Sequence, residues 1–448
     1  MKNNTLKTYM RYLVAALGSS LILSIYTFVD SICIGQYEKE FGSAAVAVCM
    51  PVWTLIYSTG LLFAMGGATL MMAERGRGKM DKGNAYFTLS FVLGVISSIL
   101  LTILFIIFQE PLLKLFGAKN SEVLKLAKNY TFYMKLALPF YLMSQYMVVM
   151  VRNDGDPGLA TIAVLAGGII NSVLDIFFVF GLDMGISGAG LGTMFGQIST
   201  AIIPAIHFLK KKNNLRFVKV YGIPHKAMKI LKIGISSFVL DICMGITIIL
   251  FNNQIDRYAS EDELIATQAI YGAICNTVVL IQGFGYAIGQ AQEPLLSESL
   301  GEGNISSVKK YKRYGLISAV VLAILSFVIM ALLPELLLKM LADAEAGSIT
   351  INIGVKILRT YFIAFLFMPL NIVFIYYFNS ILKPKEAFIL SICRGLAFPV
   401  ILLLVLPVID FDLIWLMPLI SEALVLLTAL VLNKRSMLKE YEVEEIKN

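Results

Sequence analysis

Residues 41 to 73 read FGSAAVAVCMPVWTLIYSTGLLFAMGGATLMMA, without a single Asp, Glu, Lys or Arg. As a helix rising about 1.5 Å per residue, the run exceeds the roughly 20 apolar residues that cross a hydrocarbon core. It shows no steady apolar/polar alternation and is far longer than a membrane barrel strand of about 9–11 residues, so it predicts an α-helical span. Uncharged runs also cover 12–29, 83–109, 184–209, 264–292 and 360–382. Over its 448 residues the chain is 58% hydrophobic and 15% charged, with a mean hydropathy of +0.78. Soluble domains are about one-quarter charged. The expected fold class is therefore an all-α polytopic membrane protein with twelve transmembrane helices. The spans are placed near 10–34, 45–73, 85–108, 123–150, 158–181, 187–209, 229–254, 263–292, 314–333, 356–382, 387–409 and 413–433.

Basic residues orient the spans, because short cytoplasmic loops hold the excess of Lys and Arg. Most of the 37 Lys and Arg fall in one set of connections and at both ends. These include Arg75, Arg77, Lys79 and Lys82, the run from Lys210 to Lys232, Lys309 to Arg313, and Lys434 and Arg435. The alternate connections hold Lys39, Lys114, Lys119, Lys125, Lys128, Arg257 and Lys339 beside the acidic stretches QYEKE, YASEDE, ADAEAG and IDFD. Both termini are thus expected in the cytoplasm, and the chain in the cell membrane. The net charge of +7 is topogenic charge facing anionic lipid, with no support for a nucleic-acid partner. The first apolar run is followed by SICIGQYEKE and not by a small-residue cleavage site, so the first span is expected to be retained.

The longest basic connection, KKKNNLRFVKVYGIPHKAMKILK, lies between spans six and seven. It divides the chain into an N-terminal lobe (1–212), a linker (213–227), a C-terminal lobe (228–433) and a tail (434–448). Aligning GLLFAMGGATLMMAERGRG (60–78) with GFGYAIGQAQEPLLSESLG (283–301) matches Gly60/Gly283, Ala64/Ala287, Gly66/Gly289, Ala68/Ala291 and Gly78/Gly301. Membrane helices reuse small residues for close packing everywhere. The span count and the central linker nonetheless favour two pseudo-symmetric six-helix lobes, a transporter architecture with a central cavity.

A carboxylate at a helix centre costs about 2.5–3.5 kcal/mol on insertion scales, so such residues tend to be paired, hydrated or functional. By helical rise, Asp30 lies about 28 Å beyond Arg11, Asp175 about 27 Å beyond Pro157, and Thr193 about 26 Å from Lys210. All three reach one level. Tyr26 is four residues before Asp30 and Asn171 four before Asp175, which puts each pair on one helix face. Together they form a candidate proton- or cation-binding cluster, and Lys135 reaches a similar depth and is a possible partner for either acid. The competing reading has the acids hydrated near the interface and Lys135 snorkelling to the headgroups. Like charges held close disfavour double ionisation, which suits a proton carrier. In the second half, Asp241, Arg394 and Glu422 fall at mid-membrane, where Arg394 with Glu422 or Asp241 makes a mutually neutralising pair or a coupling site. Glu293, before Pro294, is expected at a helix end or gate.

Several stretches carry a family likeness: YTFVDSICIG; MPVWTLIYSTGLLFAMGGATLMMAERGRG; VRNDGDPGLATIAVLAGGIINSVLDIFFVFGLDMGISGAGLGTMFGQ (151–197); and IQGFGYAIGQAQEPLLSESLGEGN. They resemble the multidrug and toxic compound extrusion (MATE) family along essentially the whole chain. The resemblance implies a cation-coupled antiporter that exports organic cations or other amphipathic small molecules. It implies no cofactor, only a coupling ion, H+ or Na+. It also implies that Tyr26, Asp30, Asn171, Asp175 and Thr193 occupy a first-lobe proton site, with Asp241 near a second-lobe acid. One departure is that many members have a proline in helix one, whereas Ala15 and Gly18 occupy that region here; glycine also permits bending.

Trp53, Tyr57, Phe284 and Tyr286 are candidate walls of the cavity, suited to bulky cations. The expected partners are drug-like molecules and the lipid bilayer, with the chain a monomer. The rivals are a lipid-linked oligosaccharide flippase of the same superfamily, disfavoured because the buried set is more acidic than basic, and a channel. No enzyme is expected: the sequence has no HExxH, no GxSxG with a partner histidine and no P-loop. The five cysteines show no CxxC spacing and the two histidines no cluster, so no metal site is expected.

Overall fold

The computed structural model describes residues 2–118, 120–211, 213–259, 264–335 and 348–445. Lys119, Lys212, Lys339 and Lys447, the segment ADAEAG and most of YASEDE lie outside them. The described residues hold helix and no strand. Twelve helices are long and apolar enough to cross a membrane: α1 Thr5–Lys39, α2 Phe41–Gly76, α3 Met80–Leu115, α4 Ser121–Asn153, α5 Pro157–Gly181, α6 Ile186–Leu209, α7 Ile223–Tyr258, α8 Ile270–Gly301, α9 Ile305–Leu332, α10 Gly354–Ser380, α11 Pro384–Ile409 and α12 Phe411–Arg435. Each overlaps one of the twelve spans expected from the sequence. The polytopic all-α class is observed.

The segments are helical because a helix pairs its own backbone N–H and C=O groups, the requirement that lipid imposes. On α3, Ile96, Ile99, Leu100, Ile103 and Ile107 are exposed at helical spacing, a face made for acyl chains. Between α1 and α2 the helical path breaks only at Lys39, whose φ is 53°. In α1 no break occurs near Ala15 or Gly18. Thr161 of α5 donates its hydroxyl to Ala15 O at 2.7 Å, fastening the two helices there.

The chain forms two compact units. Unit 1 comprises Met1–Phe238, Ala291–Lys309 and Ser380–Leu382; unit 2 comprises Val239–Gln290, Lys310–Asn379 and Lys383–Asn448. In unit 1, α4, α5 and α6 approach closely. A Cβ on Gly190 of α6 would stand 2.3 Å from Tyr130 O of α4, so this crossing needs a residue without a side chain. The core of unit 2 has Phe251 and Tyr271 stacked at 4.2 Å between ring centroids, with Trp415 5.5 Å from Phe251.

The stretch RNDGDPG, which joins α4 to α5, is built from local needs. Gly155 turns the chain at φ +88°, a conformation open to glycine. Asp156 accepts from Leu159 N at 3.2 Å and so caps α5, and Pro157 occupies its first turn. Asp154 pairs with Arg75 of α2, lies 2.6 Å from His207 Nε2 of α6, and accepts from Asn214 N at 2.9 Å. Burial pushes the Asp156 carboxyl up. Hydrogen bonds from Lys210, Leu159 N–H and His207 outweigh it and hold the group below its ordinary range.

Candidate functional site

In unit 1, α1, α4, α5 and α6 bring polar side chains to one place. Asp30 of α1 and Asp175 of α5 are 9% and 0% exposed, and their carboxyl groups are neighbours that act on one another. Carboxylate oxygens only accept, so a proton or a cation has to lie between them. Asn171, one turn before Asp175, donates through Nδ2 to Asp175 Oδ2 at 3.0 Å and to Thr193 Oγ1 of α6 at 3.3 Å. Tyr130 of α4 donates its hydroxyl to Asp30 Oδ2 at 3.4 Å. Two buried acceptors, Asp30 Oδ1 and Asn171 Oδ1, receive no N–H or fixed O–H. Acceptors that cluster without donors are what a proton or a small cation satisfies.

The room for this cluster comes from α6. A Cβ on Gly192 would lie 2.1 Å from Asp175 Oδ1. Asp175 is thus pressed against bare backbone, and a π-helical turn, Phe177–Gly181, begins two residues later. Such turns recur at functional sites. Tyr26 faces the same region, with a Cβ on Gly168 of α5 standing 2.9 Å from its ring, and its hydroxyl bonds Gln197 of α6. Gln197 in turn accepts from Ser144 Oγ at 2.9 Å.

The structure therefore brings together all five residues expected of the first cluster, and adds Tyr130, Gln197 and Ser144. Gln197 was visible as the residue four after Thr193. Tyr130 had no sequence signal, because α4 pairs with the acids only through tertiary packing. Lys135 is not one of the cluster. No ion pair among the described residues joins it to either acid, and its ammonium sits 5.9 Å from the Phe132 ring centroid, in line with snorkelling.

In unit 2, Arg394 Nε donates to Glu422 Oε1 at 2.9 Å, and Asn371 Nδ2 donates to Glu422 Oε2 at 2.6 Å. Asp241 is served separately by Tyr286, whose hydroxyl donates to Asp241 Oδ1 at 2.9 Å. Of the two pairings open to Arg394, the one with Glu422 is made. Glu293 departs from its sequence grouping with the second-half acids. It belongs to unit 1, is 1% exposed, and accepts from Thr69 Oγ1 of α2 at 2.9 Å. It is a buried tie between α2 and α8, not a hydrated helix end.

Of the four candidate wall residues, Trp53 and Tyr286 make defined contacts within their own units. Trp53 packs into the unit 1 core against Tyr141 at 5.9 Å and Tyr130 at 6.4 Å. Tyr286 serves Asp241. A cavity within unit 2 is lined instead by Tyr271, Gln282, Tyr361, Phe365, Arg394 and Glu422, among others, and by none of Trp53, Tyr57, Phe284 and Tyr286.

The MatE family model matches residues 15–177 and 266–403, reaching into both halves of the chain and covering most of α1 to α5 and α8 to α11. The chain belongs to the MATE family. It is a multi-pass membrane protein, with twelve helices among the described residues long and apolar enough to span. The multidrug export protein MepA of Staphylococcus aureus is 28% identical over 267 residues, 58% of this chain and 58% of MepA. The MepA of Staphylococcus saprophyticus is 28% identical over 255 residues, 56% of each chain. The chain thus matches less than two thirds of the length of these curated relatives. Among solved structures, MATE in the straight conformation superimposes with a TM-score of 0.84 at 18% identity, over 97% of both chains. A MOP superfamily transporter from Pyrococcus furiosus, described as having a binding pocket of reverse polarity, reaches 0.84 at 18% identity over 96% of both chains. These likenesses establish the twelve-helix MATE fold.

Proposed function

We propose that this MATE protein is a secondary active antiporter that exports organic cations and other amphipathic small molecules in exchange for H+ or Na+. The observation that carries the reading is the contact between the Asp30 and Asp175 carboxyls, with Asp30 Oδ1 and Asn171 Oδ1 buried beside them without donors. Binding one cation there relieves the repulsion and supplies the missing partner. Since Asp30 rides on α1 and Asp175 on α5, occupancy favours the arrangement in which those helices are close, which is how a bound ion biases one conformation over another. Export in the other direction follows if substrate favours the arrangement in which they part. The likeness to MepA supports drug-like cargo, and the basic connections support cytoplasmic termini. Two six-helix lobes acting as a monomer complete the proposal. The lipid-linked oligosaccharide flippase is the weaker reading, because the unit 1 centre holds two acids and no base.

The test is ethidium efflux measured in inside-out vesicles with ΔpH and a Na+ gradient imposed separately. The gradient that drives transport names the ion. Asp175→Asn is expected to reduce gradient-driven transport at least tenfold, and undiminished transport by that variant sinks the proposal.

A further inference from the structure

Among the buried polar atoms of unit 2 without partners, two belong to residues lining its cavity. The cavity has about 750 Å³ of empty space, counting its open mouth. Tyr271, Tyr361 and Phe365 give it aromatic walls, while Gln282, Arg394 and Glu422 give it polar ones. Both carboxylate oxygens of Glu422 already accept a hydrogen bond, from Arg394 Nε and from Asn371 Nδ2. The acid is thereby committed, and the guanidinium charge is balanced by its neighbour. What remains without a partner is one donor, Arg394 Nη1, and one acceptor, Gln282 Oε1, on side chains 6% and 5% exposed. The amide of Gln282 is fixed in this sense because its Nε2 donates to Tyr286 OH. Arg394 sits in a π-helical turn, Cys393–Ala397, anchored where Gly395 O accepts from Thr247 Oγ1 at 2.7 Å.

Buried polar groups without partners are rare and call for an explanation. We propose that this cavity binds an aromatic amphiphile that presents a carbonyl oxygen to Arg394 and an N–H group to Gln282. The inference rests on the export reading and deepens it by naming a class of cargo that unit 2 recognises. A neutral carbonyl suits the site better than a carboxylate. Glu422 already offsets the guanidinium, so a second anion would leave net charge among buried side chains, whereas a carbonyl takes the free N–H at no net charge. A purely cationic cargo finds no unengaged Glu422 oxygen here.

The experiment uses the purified full chain in lipid nanodiscs without any gradient, so its outcome is independent of coupling. Aminomethylcoumarin, a fused aromatic ring with a carbonyl and an aryl amine, is titrated by fluorescence against naphthylamine, which keeps the amine and lacks the carbonyl. The coumarin is expected to bind at least tenfold more tightly. Arg394→Lys keeps a cation beside Glu422 but removes the free N–H of the fork, and it closes that gap to within about twofold. Should Arg394→Lys fail to fold, Gln282→Leu leaves the Arg394–Glu422 pair in place and removes the acceptor for the amine that both probes carry, so both are expected to bind at least threefold more weakly while the preference for the coumarin is kept. Equal affinities in the wild type, no saturable binding of either probe, a folded Arg394→Lys that retains the full preference, or a folded Gln282→Leu that binds both probes as tightly as the wild type overturns the proposal. None of these results bears on ion coupling, and a failed vesicle assay leaves this binding result standing.

Discussion

Gly192 sets how near α6 comes to Asp175, and the residue scale of this protein turns on such clearances. A Cβ there would meet Asp175 Oδ1 at 2.1 Å and Asp175 N at 3.0 Å. The second contact is with backbone and has no rotamer through which to yield. Gly192→Ala is expected to destabilise the protein by about 1–3 kcal/mol, the ordinary cost of overpacking, and to impair efflux by parting Asn171 from Thr193. Gly158→Ala is the control: nothing lies within 4 Å of its Cβ, so thermal unfolding in detergent should show little change or a small gain. Similar melting of the two variants would contradict the close approach. In unit 2, Glu422→Ala leaves the buried Arg394 guanidinium uncompensated. A loss of about 3–5 kcal/mol is expected, measured by the same melts. The helical spacing of Tyr26 with Asp30, and of Asn171 with Asp175, was legible in the sequence because four residues make about one turn. The partners Tyr130 and Ser144 were not, because nothing local on α4 distinguishes a residue facing the acids from one facing core.

At the scale of elements, the connection between α4 and α5 holds three helices together through carboxylates. Asp154 ties α2 and α6, while Asp156 caps α5 and takes Lys210. The Asp156 carboxyl is held below its ordinary range, which fixes the sign of the pH effect. Its contribution to stability is fully present above the unfolded carboxylate pKa of about 3.9 and fades as pH falls through the lower folded value. Melting temperatures of the wild type should therefore decline below about pH 4, and Asp156→Asn should show a flatter curve there. An identical decline in both would assign the effect elsewhere. The fifth and eleventh helices each carry one π-helical turn, beside Asp175 in α5 and at Arg394 in α11. The aligned pair Gly66/Gly289 behaves alike too, since a Cβ would meet Ile230 O at 2.2 Å in one case and the Tyr376 ring at 2.4 Å in the other. Gly60 and Gly283 do not, for Gly283 has nothing within 4 Å. The likeness between the halves therefore lies in these turns and in one aligned glycine pair, and not in every aligned residue.

For the whole molecule, the basic connections predict which side of the membrane each loop faces. Single cysteines placed at Lys79 and Lys309 in a cysteine-free background should react with a membrane-impermeant maleimide in inside-out vesicles and not in intact cells. Reversed labelling would overturn the cytoplasmic assignment. What the sequence determined by itself was the all-α class, the twelve spans and the one-turn pairs of polar residues. These follow from the cost of an unpaired backbone in lipid and from the helical repeat, and both act locally. The tertiary structure alone decided that Asp30 meets Asp175, that Arg394 takes Glu422 while Asp241 takes Tyr286, that Glu293 packs against Thr69, and that Lys135 faces away. Each of those depends on which face one helix turns toward another. That choice is made by small residues and side-chain packing at crossings far apart in the chain, where lipid gives no hydrophobic preference between one apolar contact and the next.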